Sequence, residues 1–249
     1  MILKERAKFH PEGTVLHSDL GDGKSYIVEA NGQYSLLEQR SGPRFQILGG
    51  RSVYPEDFRA DEISITDIAH ALGMQVRWNG WVWVFYSVGQ HSVYVSIRSA
   101  QIAKEKGLSE LEVLLCALLG LLHDASEAYL GDIVTPLKKE LPLYYEKEKI
   151  VQDKILEHYI HQNMLISQEI TPEMEAIVKQ ADSDLLFIER DTLISTETTP
   201  DPYVMEDKNP NMNFSDINPE HTCWEPAAAK ALFIHHYKRI ISTLEIANG

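Results

Sequence analysis

The chain has 249 residues, 44% of them hydrophobic and 24% charged, an ordinary globular balance with length enough for one large domain and a sizeable core. Its 23 lysines and arginines stand against 37 aspartates and glutamates, a formal net charge of −14 that repels polyanions and argues against a nucleic-acid polymer as partner. The two cysteines, Cys116 and Cys223, form no CxxC pair, which excludes a structural zinc ribbon and fits a reducing, cytoplasmic setting.

The chain begins MILKERAKFH, charged where a signal peptide would be apolar. The run SYIVEANGQYSLLEQ sets two β-type segments around Asn31-Gly32, a hairpin signal, and RFQIL can add a third strand. Residues 1–60 are therefore expected to form a small β-rich N-terminal elaboration, with residues 61–249 as the helical remainder. ITDIAHALG predicts a short helix with Gly73 as its stop. MQVRWNGWVWVFY holds a second Asn-Gly pair, Asn79-Gly80, and predicts another hairpin, with Trp81 and Trp83 on one strand face in the core.

From Ser87 onward the apolar spacing turns helical. Helices are predicted at about 87–106, 110–129, 141–164, 172–196 and 224–247. Ser109 with Glu112 three residues later reads as a capping box. Pro172 and Pro226 suit first helical turns. Residues 197–223, rich in Pro, Asn and Asp, predict a long loop, a mobile segment able to cover a site. The longest apolar run, Leu111 to Leu122, is 12 residues and includes Glu112, too short to span a membrane.

That run leads directly into His123, Asp124, Glu127 and Asp132. A helix apolar all round is buried all round, and its continuation carries charge toward the interior. His123 and Glu127 share a helical face. A buried carboxylate costs several kcal/mol unless it is paired, hydrogen-bonded or bound to a metal, and a divalent ion satisfies an adjacent His and Asp together. His91 lies on a stripe with Val88, Val95 and Ile102, and taken alone reads as a core histidine. Asp182 shares a face with Val178, Leu185 and Glu189, and Asp184 on another face competes with it. Spacing alone does not join these residues into one site.

YSVGQHSVYVS, LLHDASEAYLGDI and KQADSDLL, in this order and at these separations, resemble the HD-domain metal-dependent phosphohydrolases over roughly residues 65–195. The resemblance implies a mainly α fold, an HD-domain helical bundle with the small β-rich elaboration at its N-terminus. It implies that His91, His123, Asp124 and Asp182, from separate helices, hold one divalent metal ion. Nitrogen and oxygen ligands without thiolate suit Mn, Co, Fe, Ni, Zn or Mg. Arg77-Trp78 ahead of the first His, with Glu127 and Asp132 after the HD pair, is similar to the 5′-deoxynucleotidase branch. The run ISITDIAHALGMQVRWNGWVWVFYSVGQHS also resembles phage and prophage HD phosphohydrolases.

The activity implied is hydrolysis of (deoxy)nucleoside 5′-monophosphates to nucleoside and phosphate. Arg77 would orient the phosphate, Trp78 would wall the sugar or base, and Glu127 and Asp132 would be catalytic. Beside these roles stand plainer ones: Arg77 a solvated strand charge, Glu127 a helix-end charge, Asp132 an N-cap for the segment starting at Ile133. A deoxynucleoside di- or triphosphate hydrolase would share the same metal core, and an inactive nucleotide-binding HD module is the alternative of another class. His158 and His161 fall where a dinuclear enzyme needs further ligands and are assigned to surface or packing. Alarmone hydrolases follow the HD pair with Glu-Asp, whereas Glu127 here precedes Ala128. The partners implied are a small nucleotide and, through family habit, further copies of the chain; no membrane is expected.

Overall fold

The computed structural model describes residues 15–17, 25–28, 34–36, 42–161, 170–194 and 223–248. Strands β1 (Val15–His17), β2 (Ser25–Val28) and β3 (Tyr34–Leu36) form an antiparallel sheet in the order β1-β2-β3. Val28 pairs with Tyr34, so β2 and β3 flank Asn31-Gly32 as the hairpin signal requires; the turn itself lies outside the described residues. RFQIL does not join this sheet. Its Phe45–Gln46 (β4) pairs instead with Ser52–Val53 (β5), across a turn where Gly49 and Gly50 take φ of 84° and 80°, a backbone region that glycine enters without penalty. Val53 and Phe58 are buried in the same core as the helices, and the Phe58 ring packs edge-on against Tyr129 at 4.9 Å.

Helix α1 (Ile65–Met74) runs through Gly73 rather than stopping at it. A side chain at Gly73 would come within 3.0 Å of the Pro226 carbonyl oxygen. The glycine therefore serves a close approach of two helices, not a left-handed cap. The hairpin expected next is also absent. Arg77 N–H donates to the Tyr86 carbonyl at 2.9 Å and Val76 bridges Ser87, so the two ends meet. Between them lies a 3₁₀ turn, Arg77–Gly80, with Trp78 and Asn79 at φ of 58° and 52°. Strand alternation has no meaning there, and Trp81 and Trp83 are 80% and 78% exposed instead of core.

Helix α2 (Val88–Glu105) is the centre of the molecule, buried on every side from Val88 to Ser96. The Ser87 side chain caps it by accepting from Gln90 N–H. Helix α3 (Glu110–Leu122) starts at the expected Ser109–Glu112 capping box, with both reciprocal bonds present. It crosses α2 at Gly120, where a Cβ would lie 2.7 Å from Ser99 Oγ and 3.0 Å from Ser96 Cα. The predicted helix to 129 breaks after Leu122; a turn holds residues 123–126 and a short helix, α4 (Glu127–Leu130), restarts the chain. The stretch Glu110–Leu130 is long and apolar enough to cross a membrane by length and composition, yet most of it is buried inside the bundle, as a core helix is.

A short helix without a strong sequence signal, α5 (Thr135–Lys138), precedes α6 (Pro142–Leu156). Helix α7 (Pro172–Glu189) opens with Pro172 in its first turn and Thr171 as cap. Both α6 and α7 end in a wider π turn, Glu157–His161 and Arg190–Ile194. Helix α8 (Pro226–Asn248) closes the bundle against α1, α2 and α3. The expected loop 197–223 lies outside the described residues except for Cys223.

Candidate metal centre

Four side chains from distant parts of the sequence converge where α2, the end of α3 and α7 meet. His91 is in the first turn of α2 and fully buried; His123 caps the C-terminus of α3; Asp124 follows in the turn; Asp182 is in the middle of α7. His91 Nε2 lies 3.1 Å from Asp182 Oδ1, and His123 Nε2 lies 3.0 Å from Asp124 Oδ2. The two Nε2 atoms are 3.3 Å apart, and the cross distances, His91 to Asp124 and His123 to Asp182, are both 3.8 Å. His91, His123 and Asp182 can hold a metal ion together, and Asp124 borders the same space.

The surroundings fix which nitrogen faces inward. His123 Nδ1–H donates to the Gly120 carbonyl at 2.8 Å, and His91 Nδ1–H donates to Glu189 Oε1 at 2.6 Å. Both Nε2 atoms then face each other and two carboxylates, an arrangement that asks for a cation between them, a proton on His91 or a metal ion in its place. Titration carries the same message. Burial and Arg77 disfavour a charged His91, but Glu189 and Asp182 outweigh them and raise it to about 9. Burial alone would raise Asp124, yet His123, His91 and Arg77 hold it below the usual carboxylate range. Asp182 is likewise held down, against burial, by His91 and His123. The donor set and its charge thus fit a divalent cation.

Around this cluster lies a second ring of groups. Arg77 is only 12% exposed; its Nε–H donates to Glu189 Oε2 at 3.0 Å, and its Nη1 stands 3.6 Å from Asp124 Oδ2. It is not a solvated strand charge. Trp78 follows in the same turn, and its indole N–H is buried with no partner among the described residues. Glu127, the first residue of α4, is 4% exposed, with Oε1 3.5 Å from Lys138 Nζ and Oε2 without a partner among the described residues. Burial, then Asp124 and Asp132, push its carboxyl well above the usual range. Asp132 is also raised, mainly by burial. It does not cap the next helix, which begins at Thr135 behind Val134.

Sequence reasoning missed three groups here. Glu189 sits two helical turns beyond Asp182 on α7; that spacing was its only signal. Gln75 donates through Nε2 to the Glu127 carbonyl at 2.9 Å and accepts the Asp132 N–H at 3.2 Å, fastening the segment that carries both acids. Lys138 was hidden in a helix too short to predict. The competing Asp184 is turned to other partners: it is buried and accepts from Arg98 Nε at 2.9 Å and from Gln180 at 2.7 Å. His158 stacks edge-on against Tyr159 at 4.8 Å, a packing role. From His123 and Asp124 a cleft of about 230 Å³ opens toward Lys138, Tyr145 and Gln152.

The HD domain family matches residues 88–197, which contain all four converging side chains. An uncharacterized protein of Escherichia coli, YfdR, is 35% identical over 141 residues, covering 57% of this chain and 67% of YfdR. The chain belongs to the HD-domain phosphohydrolase superfamily. Within it, similarity extends to the 5′-deoxynucleotidase branch: a 5′-deoxynucleotidase of Pectobacterium atrosepticum is 37% identical over 110 residues, 39% of this chain and 55% of that protein. The corresponding enzyme of Salmonella typhi is 34% identical over the same length. The chain therefore spans about half the length of these 5′-deoxynucleotidases.

Proposed function

We propose that this HD domain hydrolyses (deoxy)nucleoside 5′-monophosphates to nucleoside and phosphate. The observation that carries the reading is the buried Arg77 guanidinium 3.6 Å from Asp124, a fixed positive fork beside a cluster suited to a divalent cation. A phosphate bound at the cluster would meet this guanidinium, whose planar fork matches phosphate oxygens in pairs. The similarity to 5′-deoxynucleotidases supports the same substrate class.

In this reading His91, His123, Asp124 and Asp182 hold the ion. When bound, a divalent cation supplies charge against the phosphate oxygens and makes water more acidic. The chain's own residues do the rest. Arg77 orients the phosphate. Glu127, with an unsatisfied oxygen next to Asp124, would handle a proton of the attacking water, its raised carboxyl becoming able to accept one when a bound cation offsets the charge of Asp124. Asp132 shares proton handling at the leaving oxygen, and Gln75 keeps both acids in place. Trp78 walls the sugar or base.

The deciding experiment is a panel of nucleoside mono-, di- and triphosphates with Mn²⁺, Co²⁺ or Mg²⁺, with products resolved. Nucleoside and inorganic phosphate from monophosphates are expected. Pyrophosphate or tripolyphosphate released from di- or triphosphates, with monophosphates untouched, would turn the assignment to a triphosphate-type hydrolase. Nucleotide binding without any product would make the protein a non-catalytic HD module.

A further inference from the structure

Glu189 is 1% exposed and carries two partners from opposite ends of the site. Oε1 accepts from His91 Nδ1–H at 2.6 Å, and Oε2 accepts from Arg77 Nε–H at 3.0 Å. These partners lie 98 and 112 residues away in the chain. We infer that Glu189 is a positioning residue that couples the cation site to the phosphate site, one carboxylate oxygen setting His91 and the other setting Arg77. The phosphate half of this inference rests on the function proposed for Arg77.

Three physical points carry it. A histidine that gives its Nδ1–H to a carboxylate has a fixed tautomer, a fixed ring orientation and a more basic Nε2; His91 Nε2 is the atom facing Asp182 and His123. Next, Glu189 holds Arg77 through Nε, and Nη1 stands 3.6 Å from Asp124 Oδ2, beyond hydrogen-bond length, so the Nη edge of the guanidinium faces the cation cluster where a phosphate would be met. Last, a carboxylate this deeply buried is costly unless its charge is compensated; the two charge-assisted hydrogen bonds supply that compensation, with the Tyr86 hydroxyl close enough to add to it. An amide is a poor substitute. Both partners donate, and glutamine offers one accepting oxygen where glutamate offers two. The position also explains the seven-residue spacing from Asp182: α7 presents one group to the cation cluster and, two turns on, the group that orients a histidine of the same cluster.

The test uses Glu189→Gln, Arg77→Ala and the double variant. Mn²⁺ affinity is measured by calorimetric titration, and inorganic phosphate affinity on the Mn²⁺-loaded proteins. Glu189→Gln is expected to weaken Mn²⁺ binding ~10–100-fold and phosphate binding as well. Arg77→Ala is expected to weaken phosphate while leaving Mn²⁺ affinity near the parental value. In the Arg77→Ala background, Glu189→Gln should still cost Mn²⁺ affinity but no further phosphate affinity, the non-additivity that marks a shared path. Parental affinities in Glu189→Gln, or strictly additive phosphate losses, overturn the coupling. Should Glu189→Gln not fold, Glu189→Asp keeps the charge and withdraws it by one methylene; both affinities should fall, and a fall in neither overturns the proposal. A parent protein inactive on monophosphates, with the coupled losses intact, would overturn the nucleotidase reading alone.

Discussion

At the scale of single residues, Glu127 is a buried carboxylate of the site with one oxygen unsatisfied. Its Oε2 is buried without a partner among the described residues, and its neighbours Asp124 and Asp132 add to the burial that raises its carboxyl. Structural carboxylates in interiors have their oxygens paired; an unpaired one beside a cation site suits proton transfer. Glu127→Gln is expected to keep Mn²⁺ binding and to lower kcat ~10²–10⁴-fold; a parental rate would pass the proton-handling role to Asp132. His236 makes a different prediction. It lies 2.9 Å from Ser96 Oγ, which donates to the Ala117 carbonyl at 2.5 Å, so Ser96 accepts from a neutral His236 Nε2–H. Burial first, then Arg239 and His235, lower its pKa from 6.5 to about 4. The unfolded chain therefore binds this proton earlier on acidification, and stability present above about 6.5 is lost as pH falls toward 4. His236→Gln keeps an N–H for Ser96 without a titrating ring. Its melting temperature should fall less than the parent's between these pH values; equal slopes would dismiss His236 as an acid-sensitive contact.

At the scale of elements, the crossing of α2 and α3 sets the distance between the two histidines. Gly120 is the contact point and its carbonyl also accepts from His123 Nδ1. Gly120→Ala brings a methyl against Ser96 Cα at 3.0 Å and the Val95 carbonyl at 3.1 Å, backbone atoms that yield only if the helices separate. The expected cost is about 1–3 kcal/mol of stability, together with weaker Mn²⁺ binding, both read from thermal melts with and without the ion. Unchanged Mn²⁺ affinity in a destabilised protein would uncouple the crossing from the site. The helices were legible because their signals are local: Ser109 with Glu112, Pro172 in a first turn, Pro226 at the start of α8. The Arg77–Tyr86 segment was not. Its form depends on Glu189 holding Arg77 and on Trp83 N–H reaching the Leu193 carbonyl at 3.0 Å, contacts across more than a hundred residues that no window reveals. The end of α3 misled for the same kind of reason. The apolar period runs on past Leu122, but the chain must turn there to bring Asp124 beside His123.

At the scale of the whole molecule, the candidate centre joins α2, α3 and α7, and nothing in the spacing of His91, His123, Asp124 and Asp182 announced that they meet; the family resemblance grouped them, and the helix packing gives the distances. A cation held at such a junction would add to the fold's stability. Asp124, Asp182, Glu127, Asp132 and Glu189 crowd a region in which, among the described residues, Arg77 and Lys138 pair with these acids. An ion that binds only the native state stabilises it by RT ln(1 + [L]/Kd), about 2.7 kcal/mol at a hundredfold excess over Kd, or roughly 5–10 °C for a chain of this size. Chelation with EDTA should lower the melting temperature by that order, and Mn²⁺ should restore it. Two acids two residues apart separate this effect from ordinary destabilisation. Asp182→Ala should abolish the Mn²⁺ shift. Asp184→Asn, which weakens the buried pair with Arg98, should lower the melting temperature in EDTA and yet keep the shift. A Mn²⁺ shift retained in Asp182→Ala and lost in Asp184→Asn would exchange the two roles and move the centre to the other face of α7.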